Sequence, residues 1–310
     1  MDYRIIEGDC IEGMRRLECQ SVNTCVTSPP YFGLRDYGHD GQIGLEASPD
    51  AFVAKLVEVF REVRRVLRDD GTVWLNLGDS YARAGGWSNN NGLDGVKRGE
   101  GNRAMSNMTG EGGASQKLAD GLKSKDLIGI PWRVAFALRA DGWYLRQDII
   151  WHKPNPMPES VRDRCTKAHE YVFLLSKSER YYFDSLAMQE PAVKGSANAG
   201  ARNYTGVNGR EVLGGTQQDV TDNRNRRSVW TVATRPYKGA HFATFPPDLI
   251  RPCILAGCPM EGTVLDPFGG SGTTALVALE EGRKAVLCEL NTDYIALAHK
   301  RLEGLQLRIT

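Results

Sequence analysis

The chain has 310 residues, and 39 lysines and arginines against 38 aspartates and glutamates leave a formal net charge of +1. A chain this close to neutrality does not attract nucleic acid or membranes as a whole, so any nucleic-acid site must come from local clusters of basic residues. The chain contains no apolar run of membrane-spanning length and no signal-peptide profile, which predicts a protein without a membrane partner. Seven cysteines without a Cys-x-x-Cys pair predict reduced thiols in a cytosolic protein without a metal cluster.

Apolar runs of strand length alternate with segments of helical spacing through the first half of the chain. Predicted strands lie at 3–7, 22–26, 72–77 and 143–151, and predicted helices at 10–17, 48–67 and 125–140. Repeats of strand, helix and strand predict a parallel sheet with helices across it. Two further strands at 169–175 and 180–183 are predicted to form an antiparallel hairpin at the edge of this sheet.

Two segments rich in Gly and Asn interrupt the regular pattern. Residues 83–125 suit a lid or a binding loop that orders on a partner, and a tolerated surface insertion fits them equally well. Residues 192–228 carry basic and aromatic side chains that suit phosphate contacts and readout of base edges, with a solvated loop as the alternative. The basic residues that we predict to contact nucleic acid are Lys97, Arg98, Arg103, Arg202, Arg210, Arg224, Arg226 and Arg227.

The last quarter of the chain contains a glycine-rich turn between a strand and a helix. Predicted helices lie at 245–254, 275–281 and 293–302, and predicted strands at 263–265 and 284–288. The turn, Asp266-Pro-Phe-Gly-Gly-Ser-Gly-Thr-Thr274, follows the first of these strands, and Glu289 ends the second. This layout predicts a nucleoside-cofactor site, in which the acid lies about twenty residues after the glycines and bonds the ribose hydroxyls.

The glycine pattern discriminates between cofactors. Thr273 follows Gly272, where a nucleotide-hydrolysing loop requires Lys, and the stretch does not satisfy the Gly-x-Gly-x-x-Gly of dinucleotide sites. An acid in front of the loop suits S-adenosylmethionine, a cation that needs carboxylates rather than a pyrophosphate cradle.

A second stretch, Thr27-Ser28-Pro29-Pro30-Tyr31, follows a buried strand. Two prolines fix the backbone, so a planar ring with an exocyclic amine could stack on Tyr31 while Ser28 Oγ and the Pro29 carbonyl accept its N–H bonds. Taken alone, the stretch is more typical of an ordinary loop than of a functional site. Asp9, just past the first strand, either meets a ligand at the carboxyl edge of the sheet or caps the following helix.

Together the two stretches resemble the cofactor and catalytic motifs of amino-type DNA methyltransferases, in the order of the β-class enzymes. Leu77–Tyr81, Asp148–Asn155 and Tyr181–Asp184 also look familial. The resemblance implies an α/β fold, a circularly permuted Rossmann-like methyltransferase whose residues 263–302 supply the first two strand–helix units and residues 3–31 the next two. It also implies a catalytic and cofactor-binding domain of residues 1–191 and 229–310, with 192–228 as the target-recognition segment and 83–125 as a DNA-contacting or lid loop.

Site residues follow from the same resemblance. Ser28, Pro29, Pro30 and Tyr31 are expected to hold a flipped base. The residues expected to line S-adenosylmethionine are Asp9, Cys10, Thr27, His241, Phe245, Asp266, Phe268, Gly269, Gly270, Ser271, Gly272, Thr273, Glu289, Leu290 and Asn291. No metal takes part.

The resemblance implies transfer of a methyl group to N4 of cytosine or N6 of adenine in duplex DNA, and Ser at the first motif position favours cytosine slightly. An RNA methyltransferase on the same fold, a non-catalytic DNA-binding regulator and a metabolic oxidoreductase are the alternatives. A homodimer, a cognate restriction endonuclease and a cytoplasmic, nucleoid-associated location in a bacterium, archaeon or phage-infected cell are further expectations.

Overall fold

The computed structural model describes residues 2–34, 39, 41–82, 121–192, 223–234 and 245–309, and only the backbone at 306–309. Its strands, numbered in chain order, are β1 (Tyr3–Glu7), β2 (Val22–Thr27), β3 (Leu67–Leu77), β4 (Tyr144–His152), β5 (His169–Ser176), β6 (Gln189–Pro191), β7 (Asn223–Asn225), β8 (Val229–Thr231), β9 (Thr263–Asp266) and β10 (Lys284–Glu289). Its helices are α1 (Cys10–Arg15), α2 (Pro49–Val66), α3 (Ile130–Ala140), α4 (Pro247–Gly257), α5 (Thr273–Glu280) and α6 (Thr292–Ile309). Within these ranges no helix has the length and apolarity needed to cross a membrane.

Eight strands form one sheet in the order β1-β10-β9-β2-β3-β5-β4-β8. In this order the first five strands, β1, β10, β9, β2 and β3, are all parallel to one another. Strand β5 is antiparallel to β3 and β4, and β8 is parallel to β4. The N-terminal strand β1 therefore lies beside β10 from the last quarter of the chain, and β9 lies between β10 and β2. This is the order that the predicted circular permutation requires, and the α/β fold class is confirmed.

Helices cover both faces of the sheet because residues along each strand alternate between its two sides. Cys25 and Leu265 face a core formed with α1, α2 and α3, whereas Val26 and Val264 face a core formed with α4, α5 and α6. Helix α2 follows its predicted spacing and buries Phe52, Leu56, Val59, Phe60 and Val63. With both faces covered, the carboxyl ends of the parallel strands are where ligand-binding loops meet.

The predicted hairpin of β5 with residues 180–183 is wrong. Strand β5 pairs with β3 and β4 instead, so the antiparallel strand lies inside the sheet and β8 forms the edge. The Tyr182 amide donates to the carbonyl of Asp70 over 2.8 Å, and the Phe183 ring stacks on Trp74 with centroids 6.3 Å apart. The aromatic run that suggested a strand thus packs against β3 instead of forming a strand of its own.

Helix α3 begins at Ile130, five residues later than the sequence predicts. Lys125 and Gly129 have φ of +75° and +78°, a left-handed conformation that cannot continue into a helix from the N-terminal side. The carboxylate of Asp79, just past β3, accepts from the amides of Gly129 and Ile130 over 3.0 Å each. A distant side chain therefore caps this helix, which local sequence patterns do not reveal.

Strand β3 begins at Leu67, whereas the sequence predicts its start at Thr72. Residues 69–71, predicted to end α2, continue as strand beside β2, whose register shifts between Val22 and Thr24. Strands β6 and β7 form a small separate sheet that the sequence did not predict.

Candidate active site

The two motifs meet at the carboxyl ends of adjacent strands. Thr27 is the last residue of β2 and Asp266 the last of β9, and these strands pair in parallel. Thr27 Oγ1 donates to Asp266 Oδ1 over 2.6 Å. This bond joins residues 239 positions apart in the chain and ties the start of the Ser-Pro-Pro-Tyr turn to the start of the glycine-rich turn.

Asp266 is the most deeply buried acid of the site, with 2% of its surface exposed. Besides Thr27, the Thr274 hydroxyl donates to its Oδ2 over 2.6 Å and the Phe268 amide to its Oδ1 over 3.0 Å. Burial raises the pKa of Asp266 to about 6 even though these hydrogen bonds favour the charged form. A cation beside this buried carboxylate would stabilise its ionised form.

The glycine-rich turn packs closely on β10 and α6 at two positions and stays open at a third. A Cβ on Gly269 would lie 2.8 Å from Leu287 Cβ, and one on Gly272 would lie 3.0 Å from Ala298 Cβ. Gly270 has φ of +50°, and its nearest neighbour to an added Cβ is a carbonyl oxygen 4.0 Å away. The turn therefore presents bare backbone at Gly270, where a ligand can approach closely.

Glu289 ends β10 and faces this bare backbone. Its Oε2 accepts from the Gly270 amide over 2.7 Å and its Oε1 from the Asn291 amide over 2.8 Å. Burial raises the pKa of Glu289, and the charge of Glu289 adds to the effect of burial in raising the pKa of Asp266. One buried and one half-buried carboxylate beside an open glycine turn fit a cationic nucleoside such as S-adenosylmethionine and do not fit a pyrophosphate.

Ser28 and Tyr31 are half-buried and Pro29 is buried after β2. The Tyr31 hydroxyl donates to Glu170 Oε2 over 2.6 Å. A Cβ on Gly78 would lie 2.5 Å from Tyr31 Cε2, so the ring lies directly on the backbone that follows β3. One side of the ring is therefore fixed by the protein.

The family model described as DNA methylase matches residues 22–300. The chain belongs to the DNA methylase family. It is 48% identical over 300 residues to Type II methyltransferase M.Cfr9I of Citrobacter freundii, covering 97% of this chain and 87% of that one. It is 47% identical to Type II methyltransferase M.SmaI of Serratia marcescens, covering 96% and 90%.

Solved structures share the fold of this methylase. The cytosine-N4-specific PvuII DNA methyltransferase superimposes with a TM-score of 0.65 at 19% identity, covering 97% of this chain and 86% of that one. A DNA modification methylase of Thermus thermophilus, solved in complex with S-adenosyl-L-methionine, gives a TM-score of 0.57 at 21% identity, covering 96% and 94%. The predictions of an S-adenosylmethionine-dependent amino DNA methyltransferase and of its permuted fold are confirmed.

Several predicted cofactor residues of the methylase make structural contacts. The Asp9 carboxylate accepts from the Ile11 and Glu12 amides over 2.9 and 3.0 Å, so it caps α1. The Asn291 side chain accepts from the Asp293 amide over 2.8 Å and caps α6. Cys10 and Phe245 are buried, and Leu290 is half-buried. Capping leaves the predicted ligand roles open, and His241 lies outside the described residues.

Two hydroxyls of the glycine-rich turn, those of Ser271 and Thr273, face α6. Thr273 Oγ1 accepts from Arg301 Nη1 over 2.8 Å, and Ser271 lies beside the same guanidinium. Both residues are buried. Their side chains therefore anchor the turn to α6, and a contribution to the cofactor would come from their backbone.

Three residues that sequence reasoning did not assign hold Tyr31 directly or through a neighbour. Asn76 and Glu170 contact the Tyr31 hydroxyl, and Lys153 binds Glu170. Lys153 belongs to a segment that resembles the family, which is the only pattern that pointed to it. Glu170 and Asn76 are revealed by the pairing of β5 with β3, because the predicted hairpin placed β5 elsewhere.

Gly78→Ala is expected to lower the methylation rate about tenfold or more while the protein stays folded. The added methyl group would displace the Tyr31 ring, since the two carbons would lie 2.5 Å apart, and small misplacements at a reacting centre reduce rates strongly. Initial rates on unmethylated DNA measure the effect. Gly304→Ala on α6 is the matched control, because nothing lies within 4 Å of its added Cβ. Equal rates in the two variants would contradict the packing role of Gly78.

Of the predicted DNA-contacting residues, three lie in the described part of the chain. Arg224 and Arg227 both bind Glu190 Oε1, over 3.0 and 2.9 Å. Arg226 lies over the Trp230 ring, 5.4 Å from its centroid. The remaining five, Lys97, Arg98, Arg103, Arg202 and Arg210, fall outside the described residues.

Proposed function

We propose that this enzyme methylates the N4 amino group of cytosine in a specific site of duplex DNA, with N6 of adenine as the alternative base. Support for cytosine comes from Ser28, because Ser at this motif position is more typical of cytosine enzymes and Asp of adenine enzymes. The cytosine-N4-specific name of a protein that shares the fold points the same way. The hydrogen bond between Thr27 and Asp266 is the observation that carries the proposal, since it brings the two motifs together.

In the proposed mechanism, protein groups align and activate the exocyclic amine. The amine is a poor nucleophile because its lone pair is delocalised into the ring. N–H bonds to Ser28 Oγ and to the Pro29 carbonyl would favour a pyramidal nitrogen with its lone pair available for attack. Stacking on Tyr31 would orient the base and contribute about 1–3 kcal/mol, as base–aromatic contacts do elsewhere.

Bound S-adenosylmethionine would supply an electrophilic methyl group on a sulfonium. Asp266 and Glu289 would hold this cationic cofactor beside the glycine turn. Positioning of nucleophile and electrophile is the main contribution of the protein. Because Ser28 and Tyr31 are half-buried next to the sheet, the target base must leave the duplex to reach them, so base flipping is part of the proposal.

The proposal is tested by incubating the protein with unmethylated bacterial DNA and tritiated S-adenosylmethionine. Digestion to nucleosides with chromatography and mass detection then identifies the labelled base. N4-methylcytosine is expected. N6-methyladenine would retain the enzyme and overturn the base, and label that prefers RNA in a competition assay would overturn the DNA substrate.

Residues 192–228 are proposed as the target-recognition segment, and the 83–125 segment as a DNA-contacting or lid loop. The support for the first is that Arg224 on β7 and Arg227 just after it share one carboxylate, Glu190 on β6, so two guanidinium groups lie side by side.

Arg227→Ala is expected to weaken DNA binding and to reduce the slope of log K against log salt by about one. Its side chain is 69% exposed, so it is free to exchange part of its contact with Glu190 for a phosphate. Fluorescence anisotropy at several salt concentrations measures the slope. Arg68→Ala is the control, because Arg68 is 51% exposed and pairs with an acid, Asp70, at the start of β3. An unchanged slope in the Arg227 variant would remove it from the interface.

A cognate restriction endonuclease, a homodimer and a cytoplasmic, nucleoid-associated location belong to the same proposal. The Type II names of the bacterial relatives support the endonuclease. Sedimentation of the protein with and without DNA tests the dimer.

A further inference from the structure

The hydroxyl of Tyr31 is held by a carboxylate whose two oxygens are both engaged. Glu170 Oε2 accepts from Tyr31 over 2.6 Å and from the Asn76 amide nitrogen over 3.2 Å. Lys153 Nζ binds the other oxygen, Glu170 Oε1. The Asn76 amide nitrogen also donates to the carbonyl of Tyr171 over 3.0 Å, which fixes it in turn. The side chain of Glu170 is 14% exposed, and Lys153 compensates its charge in this half-buried place.

The topology of the sheet explains how one carboxylate reaches three other side chains. Strand β5 is antiparallel to both of its neighbours, so its first residues lie beside the last residues of β3 and β4. Glu170 pairs with Trp151 on β4. Lys153 lies over the Trp151 ring at 4.4 Å from its centroid, and Trp151 Nε1 donates to the carbonyl of Val232 over 2.8 Å. The contacts around Glu170 therefore run from the Ser-Pro-Pro-Tyr turn to the segment after β8.

We propose that Glu170 is a positioning residue that fixes the ring of Tyr31 for stacking with the flipped base, and that Lys153 holds the Glu170 carboxylate in place. This role rests on the proposed function. The ring is constrained at two points, since Gly78 lies against one side and Glu170 holds the hydroxyl. Such a ring is already ordered when a base enters. We therefore expect fixation of the ring to raise the rate of methyl transfer more than the affinity for DNA.

A double-mutant cycle tests the role. Glu170→Ala is expected to lower the single-turnover methylation rate about tenfold, whereas in the Tyr31→Phe background, which keeps the ring and removes the hydroxyl, it is expected to change the rate less than about twofold. Glu170→Gln keeps a hydrogen-bond acceptor and is expected to restore part of the rate. Glu62→Ala is the matched control, because its 21% exposed carboxylate binds Arg65 over 2.8 Å on α2, away from Tyr31.

A second measurement separates positioning from loss of folding. In a duplex with 2-aminopurine at the target base, Glu170→Ala is expected to raise fluorescence, because a loosely held ring stacks less well, with DNA affinity changed less than about twofold. A rate loss of equal size in both tyrosine backgrounds, or unchanged fluorescence, would overturn the positioning role. Absence of DNA methylation by the wild-type protein would instead overturn the proposed function.

Discussion

Ser28→Ala is expected to reduce methylation at least about 100-fold and to leave cofactor binding within about twofold of the wild type. In the proposed mechanism Ser28 Oγ accepts an N–H bond of the amine as positive charge develops on nitrogen, and removing one such preorganised hydrogen-bonding group typically costs about 100- to 1000-fold in rate. The cofactor site is built from other groups. Asp266 and Glu289 are held by hydrogen bonds that do not include the Ser28 side chain.

Tyr31→Ala belongs to the same experiment and is expected to lower the rate about tenfold to 100-fold through lost stacking. Single-turnover rates and equilibrium dialysis with labelled S-adenosylmethionine measure the two properties separately. Exposed residues of the same types, Ser21 and Tyr144, provide alanine controls. If both site variants lost cofactor binding along with activity, the catalytic assignment of the Ser-Pro-Pro-Tyr turn would be wrong.

The sequence predicted the parallel half of the sheet well because each of its strands is a short apolar run with a turn or cap beside it. The family resemblance placed Thr27 and Asp266 in one cofactor site, and the parallel pairing of β2 with β9 brings the two side chains into contact. The sequence did not predict which residues surround Tyr31. Glu170 reaches Tyr31 because β5 pairs with β3 and β4, whereas the aromatic run at 180–183 led to a predicted hairpin with β5. Which strands pair is decided by tertiary packing, and the periodicity of the sequence does not determine it.

Capping shows a second limit of sequence reasoning. Asp9 and Asn291 were predicted as cofactor residues, and each is seen capping a helix. Both roles require the same residue type at the same place, because the carboxyl edge of the sheet is where helices begin and where ligands bind. Sequence alone gives no preference, and the contacts in the structure show the capping.

Asp266→Asn is expected to make the cofactor-free protein more stable at neutral pH while weakening cofactor binding about tenfold or more. The substitution keeps the shape of the side chain. The amide oxygen can accept from Thr27 and the Phe268 amide, as Oδ1 does now. The amide nitrogen can donate to Thr274, whose hydroxyl then has the Val26 carbonyl, 3.4 Å away, as its acceptor. Stability and binding change in opposite directions because the buried charge attracts the cationic cofactor but destabilises the folded protein when no cofactor is bound.

The dependence on pH identifies the cause of this stabilisation. The pKa of Asp266 is about 6 in the folded protein and 3.8 for the unperturbed side chain, so the folded state holds the proton more tightly than the unfolded state. This contribution to stability is complete below about pH 4 and is lost as pH rises through 6, whereas the asparagine of the variant has no such proton; the difference between variant and wild type should therefore grow by about 2 kcal/mol from about pH 4.5 to 7.5. Urea unfolding without cofactor at several pH values measures it, and other titrating groups cancel in the comparison. A difference that stayed constant across this range would show that Asp266 is ionised at low pH, and that its burial is not what prepares the site for a cation.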